Sequence, residues 1–284
     1  MVRVRTGGAR FAWRRLESAP AWDRDPNDSV LEKYRSQVAG YREARSINLG
    51  PKHLAAIARH APSGGALLVL GCGAGAELMH PARLGCRVTG VDALPEMIEA
   101  ARHVASAAGV TARLEVIDLR CIDALGGRYQ AVYLTPLLYP FVAGRERRVT
   151  LLGRLAARLE PGGCLLFSAS IHRGIWSRLQ TRLAVRRHSQ TTWPGEEGDW
   201  YTWYLTPHGT IGRSFLRRFS AGEVIAEARK AGFGSVTRRG SHFLVTNPGT
   251  GGMSGQGAVL GPRPIAVPLS TASVIMTSPP ARRS

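Results

Sequence analysis

Short, wholly apolar runs alternate along this chain with longer stretches of helical period. Residues 66–70, Ala-Leu-Leu-Val-Leu, form a continuous apolar run, the pattern of a strand buried on both faces. Residues 87–91, 112–117, 131–134 and 164–168 predict four more strands. Helix-compatible segments lie between them at 76–84, 95–107 and 146–159, the middle one opened by Pro95, which suits a first helical turn. Upstream, Val30, Tyr34, Val38 and Tyr41 share one stripe from Ser29 onward, and residues 51–60 predict a further helix behind Pro51. Strands alternating with helices build βαβ units around a parallel sheet covered on both faces.

The alternation breaks over residues 171–213, which hold Trp176, Trp193, Trp200, Tyr201, Trp203 and Tyr204 among turn signals at Pro194-Gly195 and His208-Gly209. It resumes with a helix over 221–232, closed by Gly232, and a last strand over 241–246. The domain reading is a flexible leader over residues 1–28, one α/β domain over 29–246 with an insertion at 171–213, and a disordered tail over 247–284. That tail is rich in Gly, Pro, Ser and Thr and has no acidic residue. Within it, residues 258–260 and 265–267 are apolar enough to pair as an edge.

Composition narrows the picture modestly. The chain has 284 residues, 44% hydrophobic and 20% charged, ordinary values for a globular protein. No apolar run approaches the roughly 20 residues that span a bilayer, and residues 1–15 lack the apolar core of a signal peptide. The expectation is a cytoplasmic protein without a membrane partner. Of the 38 Lys and Arg behind the net charge of +18, only Lys33, Lys52 and Lys230 are lysines. The arginines are scattered rather than gathered in one stripe, so a solvated basic surface is favoured over a nucleic-acid partner, which stays open. Cys72, Cys86, Cys121 and Cys164 form no C-x-x-C pair, which points to free, buried thiols and to no metal site.

The chemistry gathers after the first strand. Leu70-Gly71-Cys72-Gly73-Ala74-Gly75 places glycines at a strand-to-helix turn. There the backbone can approach a ligand closely, and the unpaired N–H groups of the next helix face it. Asp92 follows Gly71 by about 20 residues, at the end of the second strand, where a carboxylate can accept both hydroxyls of a ribose. These features alone fit either an S-adenosylmethionine site or a dinucleotide site.

Four segments together resolve the ambiguity: residues 69–75, residues 88–92 (Val-Thr-Gly-Val-Asp), residues 129–134, and Leu159-Glu160-Pro161-Gly162-Gly163 leading into Cys164-Leu165-Leu166. Over residues 30–246 the chain resembles the class I S-adenosylmethionine-dependent methyltransferases. The resemblance implies a Rossmann-like, doubly wound, mostly parallel seven-stranded sheet with an insertion after the fifth strand. It implies S-adenosyl-L-methionine as cofactor, with Gly71, Cys72, Gly73 and Gly75 forming its loop against the methionine part. Asp92 would take the ribose, Ala93 and Leu94 would flank the adenine, Asp118 with Leu119 would meet the adenine amino group, and Thr135 would face the reacting methyl.

Two positions depart from the family pattern. Val69 stands where many members carry an acid that helps hold the methionine ammonium, and Gln130 stands where many carry Asp. Glu77 either compensates for Val69 or is a solvated helix residue. Methyl transfer from a sulfonium needs alignment and exclusion of water more than a catalytic triad. The acceptor site is expected from residues 135–141 and from 171–204. His172 is the candidate base, ahead of His208, and Tyr139 either contacts substrate or packs. The aromatic cluster at 193–204 forms either a lid or an antiparallel core with Phe215 and Phe219. No Asn-Pro-Pro-aromatic signature follows Thr135, against methylation of base amino groups. The leading function is methyl transfer to a small molecule. The alternatives are methylation of RNA or protein, a non-catalytic S-adenosylmethionine-binding protein and a nicotinamide-dependent oxidoreductase.

Overall fold

The computed structural model describes residues 25–38, 64–172, 174–188, 195–206, 209 and 211–247. In chain order the elements are α1 (Pro26–Ser36), β1 (Ala66–Leu70), α2 (Ala76–Arg83), β2 (Arg87–Asp92), α3 (Pro95–Ala107), β3 (Ala112–Val116), β4 (Tyr129–Leu134), α4 (Arg145–Ala156), β5 (Leu159–Ser168), α5 (Ile175–His188), β6 (Asp199–Leu205), β7 (Ile211–Arg217), α6 (Ala221–Lys230), β8 (Ser235–Arg239) and β9 (His242–Thr246). Single 3-10 turns sit at Leu119–Ala124 and Tyr139–Phe141.

Seven strands form one sheet in the order β3-β2-β1-β4-β5-β9-β8. The first five pair in parallel, while β9 joins β5 antiparallel and β8 joins β9 antiparallel. The order reverses between β1 and β4, and at such a reversal the crevice beyond the strands' carboxyl ends takes ligands. Side chains of the central strands alternate between two apolar layers. Leu68, Leu70, Val132, Leu134, Leu165 and Phe167 meet Leu152 and Leu155 of α4 and Val224 and Ala228 of α6. Leu67, Val69, Val88, Ala131, Tyr133 and Leu166 meet Leu78 of α2 and Ile98 of α3.

Several boundaries differ from the sequence expectation. The helix expected from Ser29 begins at Pro26, because Asp25 caps it by accepting from the Asn27 N–H at 3.0 Å and proline suits its first turn. Its stripe residue Val30 packs with Phe141, Ala143 and Phe215. The leader expected over 1–28 therefore overlaps α1. The helix expected through residue 159 ends at Ala156, and Leu159 already pairs with Tyr129 of β4 before an irregularity restores register at Ala131↔Cys164. Strand β8 went unread because it is a polar sheet edge with only Val236 apolar, as protected edges are. The expected helix at 51–60 and the expected tail pairing lie outside the described residues.

Among the described residues, the 171–213 insertion holds α5, β6 and the start of β7, which pairs antiparallel with β6 and runs on to Arg217. Tyr201 meets the Phe215 ring edge-on at 5.7 Å, so these two belong to an antiparallel core rather than a lid. Trp193, and the side chain of Trp203, lie outside the described residues.

A buried ionic network ties the insertion to the sheet layers. Arg148 of α4 donates to both carboxylate oxygens of Glu227 of α6, at 2.8 and 3.0 Å, and to Glu196 at 3.0 Å. Arg217 of β7 reaches Glu196 and Asp199 at 3.0 and 3.2 Å and Glu223 at 3.0 Å. The two guanidinium groups lie 5.2 and 5.1 Å from the centre of the Phe219 ring. Buried charge is tolerated only when paired this fully. Replacing Glu227 by Ala leaves the buried Arg148 with Glu196 as its remaining carboxylate partner and the Tyr139 hydroxyl without its acceptor, and is expected to cost about 3–5 kcal/mol. The double variant Arg148→Met/Glu227→Leu should lose far less than the sum of its two single variants, as read by urea unfolding.

Candidate functional site

The glycine turn is set by what crowds it. At Gly71, φ is +67°, and a Cβ would stand 2.9 Å from Thr135 Oγ1 and 3.0 Å from Leu138 Cδ2. At Gly75, φ is +89°, and a Cβ would meet Cβ and Cα of Ala101 in α3 at 3.1 and 3.2 Å. Both positions require glycine, one for the approach of β1 to the end of β4 and the other for the contact between α2 and α3. Gly73 differs, since a Cβ there would meet nothing within 4 Å. Its bare backbone faces open space at the floor of a cleft of about 1440 Å³.

Asp92 closes the turn from the neighbouring strand. Its Oδ2 accepts from the Gly73 N–H at 2.9 Å and its Oδ1 from the Leu94 N–H at 3.0 Å. Burial pushes this carboxyl above its ordinary range, against the pull of those backbone N–H groups. Each oxygen keeps lone-pair capacity toward the cleft. Glu77, in the first turn of α2, also lines the cleft and is buried. Burial, with the Asp92 charge adding to it, pushes its carboxyl up to about 7. Val69 itself lies wholly inside the apolar layer, so the acid near the glycine turn enters from α2 instead. Together Glu77 and Asp92 make a floor that attracts a cation.

Farther along the cleft, Ala93, Leu94, Met97, Ile117, Asp118 and Leu119 form a mixed wall. Asp118 caps the 3-10 turn by accepting from the Arg120 N–H at 2.8 Å, and also binds the Arg120 guanidinium, with Nη2 at 2.8 Å. Burial works to raise the Asp118 carboxyl, but the Arg120 contacts hold it below its ordinary range. Thr135 donates to the Gly71 carbonyl at 2.9 Å and also lines the cleft. Leu137 beside it has φ +72°, the one non-glycine with positive φ among the described residues, and such strain gathers at functional loops.

The remaining wall comes from α1. Asp25, Asn27, Val30, Leu31 and Tyr34 line the cleft together with Leu138 and Phe141. Tyr34 meets the Phe141 ring edge-on at 5.8 Å. The Asn27 side-chain oxygen accepts from the Ala143 N–H at 3.1 Å. Ion pairs tie α1 across the opening, Asp25 to Arg147 at 2.5 Å and Asp28 to Arg120 at 3.2 Å. Asp25 and Asn27 fell within the expected leader over 1–28, and Val30 and Tyr34 were expected as a helical stripe without a place at the site. The signal was present, since Asp25-Pro26 is a capping residue followed by a first-turn proline.

Of the residues expected to form the site, Gly71, Gly73, Asp92, Ala93, Asp118, Leu119 and Thr135 line this one cleft. Cys72 and Gly75 do not. The Cys72 side chain is buried beneath the loop, where a Cβ on Gly90 of β2 would meet its sulfur at 3.1 Å, and Gly75 is turned against α3. Tyr139 is corrected to a core residue: its ring lies between Phe167 and Phe219 at 4.8 and 5.2 Å and its hydroxyl donates to Glu227. His172 also falls outside the lining residues. Its Nδ1 faces Ser177 Oγ at 3.1 Å and its backbone N–H donates to Phe219. Residues 136–138 and 141 do line the cleft, whereas no described residue of the insertion does. Among the described residues no group of His, Cys, Asp and Glu could hold a metal, and no helix is long and apolar enough to cross a membrane.

Residues 67–163 match the family described as a methyltransferase domain. The chain is 30% identical over 162 residues to a ubiquinone biosynthesis O-methyltransferase of Methylobacterium sp., an alignment covering 55% of this chain and 60% of that one. It is 34% identical over 124 residues to the protein of that name from Methylocella silvestris, covering 42% of this chain and 46% of that one. It thus spans 60% and 46% of the length of these curated relatives. In fold it is similar to an S-adenosylmethionine-dependent methyltransferase structure from Clostridium acetobutylicum, with a TM-score of 0.53 at 11% identity, covering 76% of this chain and 99% of that one.

The Glu77 carboxyl gives the ligand-free fold a pH signature. A proton held more tightly in the fold than in the open chain stabilises the fold. That contribution is complete below the ordinary value of 4.5 and is lost as pH rises through about 7. Glu77→Gln, which never ionises, is expected to match the parent near pH 4 and to exceed it in stability by roughly 2–3 kcal/mol near pH 8. Urea unfolding at both values checks this, and a pH-independent difference would refute it.

Proposed function

We propose that this chain, which belongs to the class I S-adenosylmethionine-dependent methyltransferases, transfers a methyl group to an oxygen of a small-molecule acceptor. One observation carries the reading: a carboxylate from the end of β2 is hydrogen-bonded to the backbone of the glycine turn at the floor of a large cleft. The open space over Gly73 and the two acids beside it suit a cofactor with a ribose at one end and an amino acid at the other. Bound there, S-adenosylmethionine supplies a methyl group on a positively charged sulfur.

The protein's part is to bind, orient and exclude water. Asp92 uses its spare lone pairs on the ribose hydroxyls, and Glu77 holds the amino-acid ammonium in place of the acid absent at Val69. Ala93, Leu94 and Met97 enclose the adenine, with Asp118 and Leu119 at its edge. Thr135, pinned to the Gly71 carbonyl, forms the wall on the reacting side. The acceptor lies along the wall that Leu138 and Phe141 build together with Val30, Leu31 and Tyr34 of α1. An apolar enclosure of this kind suits a flat or hydrophobic acceptor and keeps water from the displacement. The name O-methyltransferase on both curated relatives supports oxygen as the acceptor atom.

Incubation with methyl-labelled S-adenosylmethionine and a fractionated extract tests the reading. Label should appear in a small molecule as a methyl ether or ester, and label confined to RNA, protein or nitrogen would overturn it. Asp92→Ala is expected to weaken cofactor binding by about 1.5–3 kcal/mol, or ~10–150-fold, in calorimetry. Unchanged affinity would remove Asp92 from the ribose. Because Glu77 titrates near 7 and must be charged to pair with an ammonium, affinity should rise between about pH 6 and pH 7.5. Glu77→Gln should flatten that rise as well as weaken binding.

A further inference from the structure

We propose that the outward face of α5 docks on the surface of an anionic lipid bilayer. Ile175, Trp176, Leu179 and Leu183 are 81%, 77%, 42% and 47% exposed. At 100° per residue they occupy one arc of the helix. Thr181, fully buried, lies on the opposite side, with Ser177 half-buried toward it. Among its described side chains the helix turns Thr181 and Ser177 toward the protein and its large apolar residues outward, the reverse of an ordinary surface helix.

The helix itself carries charge of one sign. No acidic residue occurs between Glu160 and Glu196, while Arg173, Arg178, Arg182, Arg186 and Arg187 all fall in that interval. Arg178 and Arg182 are exposed beside the apolar arc, Arg182 also pairing with Glu197 at 2.7 Å. Arg186 follows Arg182 at helical spacing. Aliphatic and tryptophan side chains flanked by arginines match the boundary between acyl chains and anionic headgroups, with arginine heads held at the phosphates. At 14 residues the helix is about 21 Å long, too short to cross about 30 Å of hydrocarbon, so it lies in the interface plane. An RNA partner would answer the charge but would leave Ile175, Leu179 and Leu183 without a complementary surface. The inference stands independently of the methyl acceptor.

Flotation of the full chain with vesicles of equimolar phosphatidylglycerol and phosphatidylcholine tests it, with phosphatidylcholine vesicles alone as reference. The chain is expected to float with the anionic vesicles at low salt and to be released at high salt, with a blue shift of tryptophan emission that is absent in Trp176→Ala. Trp176→Ser/Leu179→Ser should bind at least about tenfold more weakly, and Arg178→Gln/Arg182→Gln severalfold more weakly. Circular dichroism confirms the fold of each variant, and the single Trp176→Ala variant serves should the double one unfold. Absence from anionic vesicles, equal binding to neutral ones, or unaltered binding of the apolar variants would each overturn the proposal. So would self-association in solution, lost in Trp176→Ser/Leu179→Ser without any vesicle binding, or RNA binding without vesicle binding.

Discussion

The hydrogen bond from the Gly73 N–H to the Asp92 carboxylate joins the turn after β1 to the end of β2, beside the point where the sheet order reverses between β1 and β4. Everything around the cleft is arranged relative to it. The turn through Gly71 and Gly75 can be this tight only because neither carries a side chain against Thr135 or Ala101. The tightness in turn aims the Gly73 backbone at the carboxylate. A buried acid without such donors would be a costly group. With two backbone N–H groups on it, and burial raising its carboxyl, Asp92 is a preorganised acceptor whose unused lone pairs face open space.

The second acid shows how a local substitution is absorbed by the fold. Val69 belongs to an apolar layer between sheet and helices and contributes packing. Glu77 stands in the first turn of α2, directly after the glycines, close enough to Asp92 for that charge to oppose its own. The floor of the cleft therefore stays negative, but with one acid pushed up to about 7 in the ligand-free protein, so a cation bound beside it would displace a proton.

The ionic network around Arg148 and Arg217 serves the packing of the insertion. It fixes α4, α6 and the β6–β7 pair to one another through Glu196, Glu223 and Glu227, and it draws Tyr139 into the core. The insertion is thereby anchored without entering the cleft. The face it leaves outward on α5 is apolar and basic, while the cleft is closed by α1 through Asn27 and the Asp25–Arg147 and Asp28–Arg120 pairs.

The central strands, the glycine turn and Asp92 were legible from residues alone, because they answer to short-range rules. A strand buried on both faces must be apolar throughout, and a turn without room for Cβ must be glycine. Strand β8 was not legible, since an exposed edge imposes no apolar pattern. Helix α5 went unread although its apolar residues recur at helical spacing, because arginines and small polar residues break the run between them. The place of Tyr139 and His172 depended on partners 88 and 5 residues away, Glu227 and Ser177, and periodicity carries no record of a long-range partner such as Glu227. The sequence by itself determined the sheet's inner strands and the chemistry at their carboxyl ends. Tertiary structure alone decided which segments wall the cleft and which charges are buried, because those depend on contacts between residues far apart in the chain.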